Sequence, residues 1–386
     1  MEKIKIGDVC DILNGYAFKS ENYVDSGIRI IRISNVQKGY IEDSTPAFYS
    51  FDTMGLSKFM LEEGDLLMSL TGNVGRVAIL EKELLPAALN QRVACLRLKS
   101  NKITKSYLFH FLNSNFFEQQ CIMASNGVAQ KNMSTEWLKD YEIPLYTPNQ
   151  QEEIVTVLNA AQSILSSRRQ QLQKLDELVK ARFVEMFGAY PLNPMGWKKG
   201  TIRDVVADVR YGSSRPAVDG GKYPYLRMNN ITYGGELDLS DVKRIDVPEN
   251  ELGKCTVRRG DVLFNRTNSK ELVGKTCVYD RDEMMVLAGF VIRVRVNDVV
   301  LPEFLSAFLN TDFSKRTLLG MCKAAIGQAN INAQEMQNIG IYIPPIELQR
   351  EFVQFKNQTD KSKAVIQKAL DEAQLLFDSL MQKYFG

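Results

Sequence analysis

Histidine is almost missing from this chain of 386 residues, in which His110 stands alone. A Ser-His-Asp or Cys-His arrangement therefore has a single candidate base, and that base lies between Phe109 and Phe111 in an apolar segment, where a structural role is expected. Cysteine is sparse and scattered. Cys10, Cys95, Cys121, Cys255, Cys277 and Cys322 form no Cys-x-x-Cys pair, so no metal site is expected, and they read as buried apolar residues of a reducing cytosol. Long apolar runs are lacking too. No segment approaches the roughly 18 uninterrupted apolar residues of a membrane span, and Met1-Glu2-Lys3-Ile4-Lys5-Ile6-Gly7-Asp8 has no apolar signal core, so a soluble cytoplasmic protein with no membrane partner is expected. No charge of one sign prevails: 48 Lys and Arg face 46 Asp and Glu, a net +2. Bulk charge gives no warrant for nucleic-acid binding, and any basic surface must come from local clustering.

Catalytic signatures are absent in the same way. There is no Asn/Asp-Pro-Pro-Tyr/Phe element of a base-modifying methyltransferase and no Gly-x-Gly-x-x-Gly. Ser269-Lys270-Glu271-Leu272-Val273-Gly274-Lys275-Thr276 approximates a phosphate loop, but Ser269 stands where its first glycine belongs. Asp65 and Asp261 each follow a glycine and precede an apolar run, the signature of a turn aspartate bonded to nearby backbone amides. The expectation is a chain with no catalytic residue, no metal and no cofactor.

What is present is one unit written twice. Ile6-Gly7-Asp8-Val9 matches Ile202-Arg203-Asp204-Val205, and Gly64-Asp65-Leu66-Leu67 matches Gly260-Asp261-Val262-Leu263, both at a spacing of 196. Phe111-Leu112-Asn113 matches Phe308-Leu309-Asn310 at 197. Gln130-Lys131-Asn132-Met133 matches Gln328-Ala329-Asn330-Ile331, Gln151 matches Gln349, and Met186-Phe187-Gly188 matches Tyr384-Phe385-Gly386, all at 198. So long a period excludes a solenoid, and each copy should be a whole domain with a tail. The breakers of Gly188-Ala189-Tyr190-Pro191-Leu192-Asn193-Pro194-Met195-Gly196 mark the linker, and Trp197 opens the second copy.

The first three quarters of each copy read as strands and short helices. Ile28–Ile33 and Phe290–Val296 alternate apolar and basic residues, the pattern of strands that pack one face and present arginine on the other. Each copy closes with about 36 residues free of Pro and Gly, following the proline-bearing strands Ile143–Pro148 and Ile341–Pro345. These predict two long helices of roughly 54 Å. In the first, Ile154, Leu158, Ala161, Leu165, Arg168, Leu172, Leu175, Val179, Arg182 and Met186 follow alternating steps of four and three, eight of the ten being apolar. In the second, Phe352, Ile366, Leu370, Phe377 and Leu380 hold the stripe while Lys356, Thr359 and Lys363 break it. A lone striped helix is marginal in water, and the nearest cover is its sister. The bland reading, each helix packed on its own domain, is left open by periodicity alone. The expected fold is α+β: two tandem mixed α/β domains separated by two long helices forming an antiparallel coiled coil, with pseudo-two-fold symmetry. Its segments are a first domain at 1–149, a first helix at 150–188, a linker at 189–196, a second domain at 197–347 and a second helix at 348–386.

The duplicated Gly-Asp-Leu-Leu and Gly-Asp-Val-Leu, the Gln-x-Asn-Met/Ile, and the proline-rich strand before Gln-x-x-Ile/Phe recur in one order in both halves. On these, the chain resembles the specificity-subunit family of type I restriction-modification systems across its full length. That resemblance implies two target-recognition domains, each reading one part of a split site on double-stranded DNA. It also implies helices that set the distance between the parts, docking of two copies of a modification (methyltransferase) subunit, and restriction subunits that supply motor and nuclease. Residue chemistry is compatible with such reading: Arg clamps a guanine edge, Asn or Gln an adenine edge, and Lys or Ser suits phosphate oxygens. The candidates in the first domain are Arg29, Arg32, Asn35, Lys38, Asn73, Arg76, Gln91 and Arg92. In the second they are Arg210, Ser213, Ser214, Arg215, Arg227, Asn229, Asn230, Arg266, Asn268 and Lys270. Tyr16 and Tyr211 are candidates for stacking or simple packing. For each residue alone, a solvated surface side chain is an equal reading. The competing function is a coiled-coil protein scaffold that binds no DNA.

Overall fold

A computed structural model describes residues 2–51, 55–125, 132–322 and 329–386. In the first copy the strands are β1 (Lys3–Lys5), β2 (Cys10–Asn14), β3 (Ile28–Ile31), β4 (Phe48–Tyr49), β5 (Leu66–Ser69), β6 (Val77–Ile79), β7 (Ala87–Leu89), β8 (Val93–Leu98) and β9 (Glu142–Pro144). Its helices are α1 (Ile6–Val9), α2 (Lys105–Leu112), α3 (Asn115–Ala124), α4 (Thr135–Asp140) and the long α5 (Pro148–Phe187). The second copy repeats the plan with β10 (Lys198–Thr201), β11 (Val206–Tyr211), β12 (Tyr223–Leu226), β13 (Lys243–Ile245), β14 (Thr256–Val257), β15 (Val262–Asn265), β16 (Thr267–Asn268), β17 (Thr276–Val278), β18 (Met285–Leu287), β19 (Val291–Val296), β20 (Ala329–Asn330) and β21 (Gly340–Ile343). Its helices are α6 (Glu249–Cys255), α7 (Pro302–Leu309), α8 (Asp312–Met321), α9 (Ala333–Gln337) and the long α10 (Ile346–Phe385). The fold is thus two tandem mixed α/β domains with two long helices.

Contacts gather the chain into two compact units: Met1–Arg168 with Ala369–Gly386, and Arg169–Lys368. Each unit takes part of both long helices, so the division crosses the two helix segments expected from the sequence.

Unit 1 is built on an antiparallel sheet in the order β2-β8-β5-β6. Leu66, Met68, Ala94 and Leu96 face α2 and α3, while Leu67, Val93 and Cys95 face a second cluster with Ile31 and Leu89 of the sheet β4-β3-β7. Unit 2 repeats this with β11-β19-β15-β17: Val262, Phe264, Ile292 and Val294 on the helix side, Leu263, Cys277 and Val291 against Leu226 and Leu287. Both faces of the central sheet are covered, which corrects the expectation of arginine-presenting strands. Arg293 is buried against Asp208 and Arg295 pairs with Asp261, because a second sheet lies where solvent was expected; Arg29, on the second sheet of unit 1 itself, is tied to Asp43.

Both long helices have 40 residues, a few more than the Pro- and Gly-free stretches suggested, because Pro148 occupies the first turn of α5, where no backbone donor is missed. Within unit 1, Ile154 and Leu158 of α5 share a core with Met381 and Phe385 of α10, and Phe385 lies 5.5 Å from both Tyr107 and Phe111. Within unit 2, Phe183 and Phe187 of α5 pack on Phe352 of α10 and on Phe304. Ile154, Leu158, Leu165 and Phe352 are buried, and Leu172, Leu175, Val179, Ile366, Leu370, Phe377 and Leu380 are half-buried. The polar positions of α10 have partners of their own. Lys363 bonds Asp176 of α5 at 2.7 Å and also Glu236, and Thr359 is capped by the Phe355 carbonyl.

Each long helix is pinned by a buried glutamine. Gln151 accepts from the Thr104 amide at 2.8 Å and donates to the carbonyls of Lys102 and Tyr146. Gln349 does the same with Leu301, Val299 and Pro344. Both are fully buried, so the amide replaces water for three backbone groups at the start of the helix. Asp65 and Asp261 are turn aspartates as expected, accepting from the amides of Glu62 and Arg258; each also forks onto an arginine, Arg97 or Arg295. His110 is buried and bonded to Asn159, and burial lowers its pKa.

Candidate nucleic-acid interface

One end of each central sheet is finished by the same backbone knot. In unit 1 the Tyr16 amide donates to Leu89, Gln91 to Tyr16, Val93 to Asn90, Leu70 to Arg92 and Met133 to Leu70. In unit 2 the Ser213 amide donates to Leu287, Gly289 to Ser213, Val291 to Ala288, Arg266 to Phe290 and Ile331 to Arg266. The ten bonds correspond one to one, so the chain repeats this rim atom for atom along the backbone. Gly15 and Gly212 make the close approach possible: a Cβ on either would stand 2.3 Å or 2.2 Å from a carbonyl oxygen of the crossing segment.

The side chains on the two rims differ. Unit 1 places Tyr16, Gln91 and Arg92 there; Tyr16 packs on Phe18 and Phe59, and Gln91 and Arg92 are exposed with no hydrogen-bond partner for their side chains among the described residues. Unit 2 places Tyr211, Ser213, Ser214, Arg266, Asn268 and Phe290. The Arg266 guanidinium lies 4.9 Å from the Tyr211 ring centre and its Nε is buried without a partner, while the Tyr211 hydroxyl accepts from the Ala333 amide. Ser213 accepts from the Arg215 amide, Asn268 bonds Asn265, and Ser214 is exposed. Phe290 is 53% exposed, an apolar ring held in solvent by a rigid turn.

Other sequence candidates are placed elsewhere, and all but Asn229 and Lys270 are engaged within the fold. Asn35 is buried and closes a turn, accepting from the Arg32 amide and donating to the Glu42 carbonyl; Asn230 repeats this with Arg227 and Asp238. The guanidinium of Arg32 donates to Thr45, and that of Arg227 to Asp241. Arg29 sits over Phe48 and pairs with Asp43. Arg76 bonds Gln37 and faces the Asn73 amide. Arg210 pairs with Asp208, and Arg215 forks onto Glu251. Asn229 is exposed, and Lys270 lines a cavity of about 760 Å³ in unit 2. Gln130, Lys131 and Gln328 lie outside the described residues.

Lys38 is spent differently. Its ammonium bonds Asn115 and Glu118, clamping its turn onto α3. At the matching place in unit 2, Tyr233 replaces the lysine and Lys315 the glutamate, with the ammonium 5.4 Å from the ring centre and bonded to the Gly274 carbonyl. A salt bridge has become a cation–π contact of opposite polarity. Burial, with Lys180 and Lys275 adding repulsion, lowers the Lys315 pKa to about 8.

The loop resembling a phosphate cradle is not available as one. Lys275 is buried and donates to the Met228 carbonyl, and burial lowers its pKa. Among the described residues no group of three or more His, Cys, Asp or Glu could hold a metal ion, and no helix is long and apolar enough to cross a membrane.

Sequence reasoning missed Phe290 and the glycine-built knots. The signal was there: an apolar residue in an Ala-Gly-Phe turn just before a strand, aligned with Asn-Gln-Arg in the first copy.

The model of the type I restriction modification DNA specificity domain matches residues 1–177 and again 194–374. The chain is 22% identical over 398 residues to the type I restriction enzyme EcoKI specificity subunit of Escherichia coli (strain K12), covering 98% of this chain and 86% of that one. It is 28% identical over 184 residues to the MjaVIII specificity subunit of Methanocaldococcus jannaschii, 46% of this chain and 43% of the relative. Among solved structures, the type I restriction-modification S subunit from M. genitalium superposes with a TM-score of 0.52 at 15% identity, covering 100% of this chain and 96% of that one. A chain from a structure of complex assembly and conformational transition in a type I system gives 0.60 at 17% identity, covering 99% and 97%. At these identities the superpositions speak for the fold.

Proposed function

Because the chain belongs to the type I restriction-modification DNA specificity family through both of its halves, we propose that it is the non-catalytic DNA-reading subunit of such a complex and recognises a bipartite, asymmetric target. The observation that carries this is the duplicated rim: one backbone frame, presented twice, with different side chains on each copy. Two identical frames suit two stretches of one duplex, and unlike side chains suit unlike sequences. Segments 1–149 and 197–347 are the target-recognition domains, 150–188 and 348–386 the spacer helices, and 189–196 the linker between them.

The helices are proposed to run antiparallel as a coiled coil relating the domains by a pseudo-two-fold axis. Support comes from each unit separately, since the start of α5 shares a core with the end of α10 in unit 1, and the end of α5 with the start of α10 in unit 2. Two modification subunits and the restriction subunits dock on this scaffold in the cytoplasm. Gln91, Arg92, Ser213, Ser214, Arg266 and Asn268 are the proposed reading groups, with Asn229 and Lys270 available to phosphates. The remaining candidates shape the domains that present them.

Methylome sequencing of cells carrying the intact system tests this. A split motif with an unread centre near one helical turn is expected; a continuous or palindromic motif overturns it. Electrophoretic shifts at rising salt separate the DNA reader, whose affinity must fall as phosphates regain counterions, from a scaffold that binds no DNA. Incubation of the pure chain with DNA, magnesium and labelled methyl donor should yield neither cleavage nor methylation.

A further inference from the structure

Residues 92 and 290 fill one slot. Each accepts, through its backbone carbonyl, the bond from the residue just past the central strand β5 or β15, Leu70 or Arg266, at 2.9 Å. Each directly follows the residue whose amide caps Tyr16 or Ser213. The slot is held from below by a glycine with no room for a side chain, Gly15 or Gly212, so what varies between the copies is the side chain alone.

The two occupants stand out within their own units. Among the described residues of the first 125, the guanidinium groups of Arg29, Arg32, Arg76 and Arg97 all bond other parts of the domain. Arg92 has no such bond among the described residues; it is exposed on a turn, and its own amide and carbonyl are both bonded. A long cationic side chain kept free while its neighbours are tied down is poised for an external acceptor. In unit 2 the same slot carries Phe290, whose exposed ring can donate nothing and gains only from apolar contact.

Resting on the specificity-subunit reading, we infer that this slot sets the base read by each half: Arg92 clamps the O6 and N7 acceptors of a guanine, and Phe290 rests on the 5-methyl group of a thymine. The chemistry follows from what each group offers. The guanidinium fork matches the paired acceptors that guanine alone presents in the major groove, and the thymine methyl is the one apolar feature there. Gln91 and Arg266 flank the slot and serve the neighbouring positions.

The test is selection of bound duplexes from a randomised library by the full chain co-expressed with its modification subunit. Arg92→Ala should relax one G·C position in one half-site, lowering its enrichment over the other bases by about 10- to 100-fold, and leave the other half unchanged. Arg92→Lys should relax the same position, because an ammonium cannot make the two-point contact. Phe290→Ala should relax a T·A position in the opposite half. Both sites are exposed, and unchanged circular dichroism will show that the three variants fold. An unaltered motif in Arg92→Ala, or a uniform loss of affinity that Arg92→Lys restores, overturns the inference and marks Arg92 as a phosphate contact or a spectator. A folded wild-type complex that enriches no sequence overturns the specificity-subunit reading itself, and this inference with it.

Discussion

Replacing Gln349 by leucine should loosen unit 2 more than any surface change. The side chain is fully buried and satisfies three backbone groups, accepting from Leu301 at 2.8 Å and donating to Val299 at 3.0 Å and Pro344 at 2.9 Å. Leucine fills nearly the same volume, so the loss comes from polarity and not from a cavity. Each orphaned buried group costs about 1–3 kcal/mol. With some recovered by water or small shifts, the total should be about 2–4 kcal/mol. For a unit of this size, 1 kcal/mol lowers the melting temperature by roughly 2–4 °C, so a fall of about 5–15 °C is expected. Differential scanning calorimetry of the full chain reads it directly. Gln349→Glu sharpens the test, because a carboxylate still accepts from Leu301 but faces the Val299 and Pro344 carbonyls with a like charge. It should be worse than leucine at pH 7 and partly restored at pH 5, where protonation returns one donor. Gln151→Leu should act on unit 1 with similar size. A loss below about 1 kcal/mol for both leucine variants would refute the pinning argument.

Lys315 has a folded pKa of about 8, below its ordinary 10.5, so between these values the unfolded chain binds the proton that the folded one has released, and stability rises with pH. Unit 2 should gain about 1 kcal/mol between pH 7 and pH 9 in urea titrations, and Lys315→Met should abolish that slope. Gly212→Ala places a methyl 2.2 Å from the Leu287 carbonyl oxygen; about 2–3 kcal/mol of destabilisation is expected by chemical unfolding, with DNA affinity lost through that half of the target. Truncation after Gly188 removes Met381 and Phe385 from the unit 1 core, and a second copy's Phe183 and Phe187 are the residues that match them at the repeat spacing of 198. The fragment should therefore sediment as a dimer, and a folded monomer in analytical ultracentrifugation would count against the helix pairing.

The duplication, the two long helices and the lack of catalytic groups were legible because each is a pattern over many residues. Individual site residues were not. Arg29, Arg215 and Arg227 share composition and strand-end placement with Arg92, yet Asp43, Glu251 and Asp241 neutralise the first three across 14, 36 and 14 residues of sequence. No local pattern announces which acid will fold back on which base. The strand alternation misled for a related reason: Arg293 sits at a nominally outward position of β19, and only the arrival of a second sheet turns that position inward. Phe290 was passed over because an apolar residue beside a strand normally belongs to the core, and its exposure follows from the turn geometry alone.

The core of unit 1 is closed by residues 369–386, while everything between Arg169 and Lys368 belongs to unit 2. On a ribosome adding about 5–20 residues per second, the first domain waits roughly 10–40 s for the helical end that seals it. Until then Tyr107 and Phe111 lack their Phe385 neighbour, and a product cut short by a premature stop would leave that gap open. The architecture thereby makes the packing of the first-made unit depend on residues added only after the whole of unit 2.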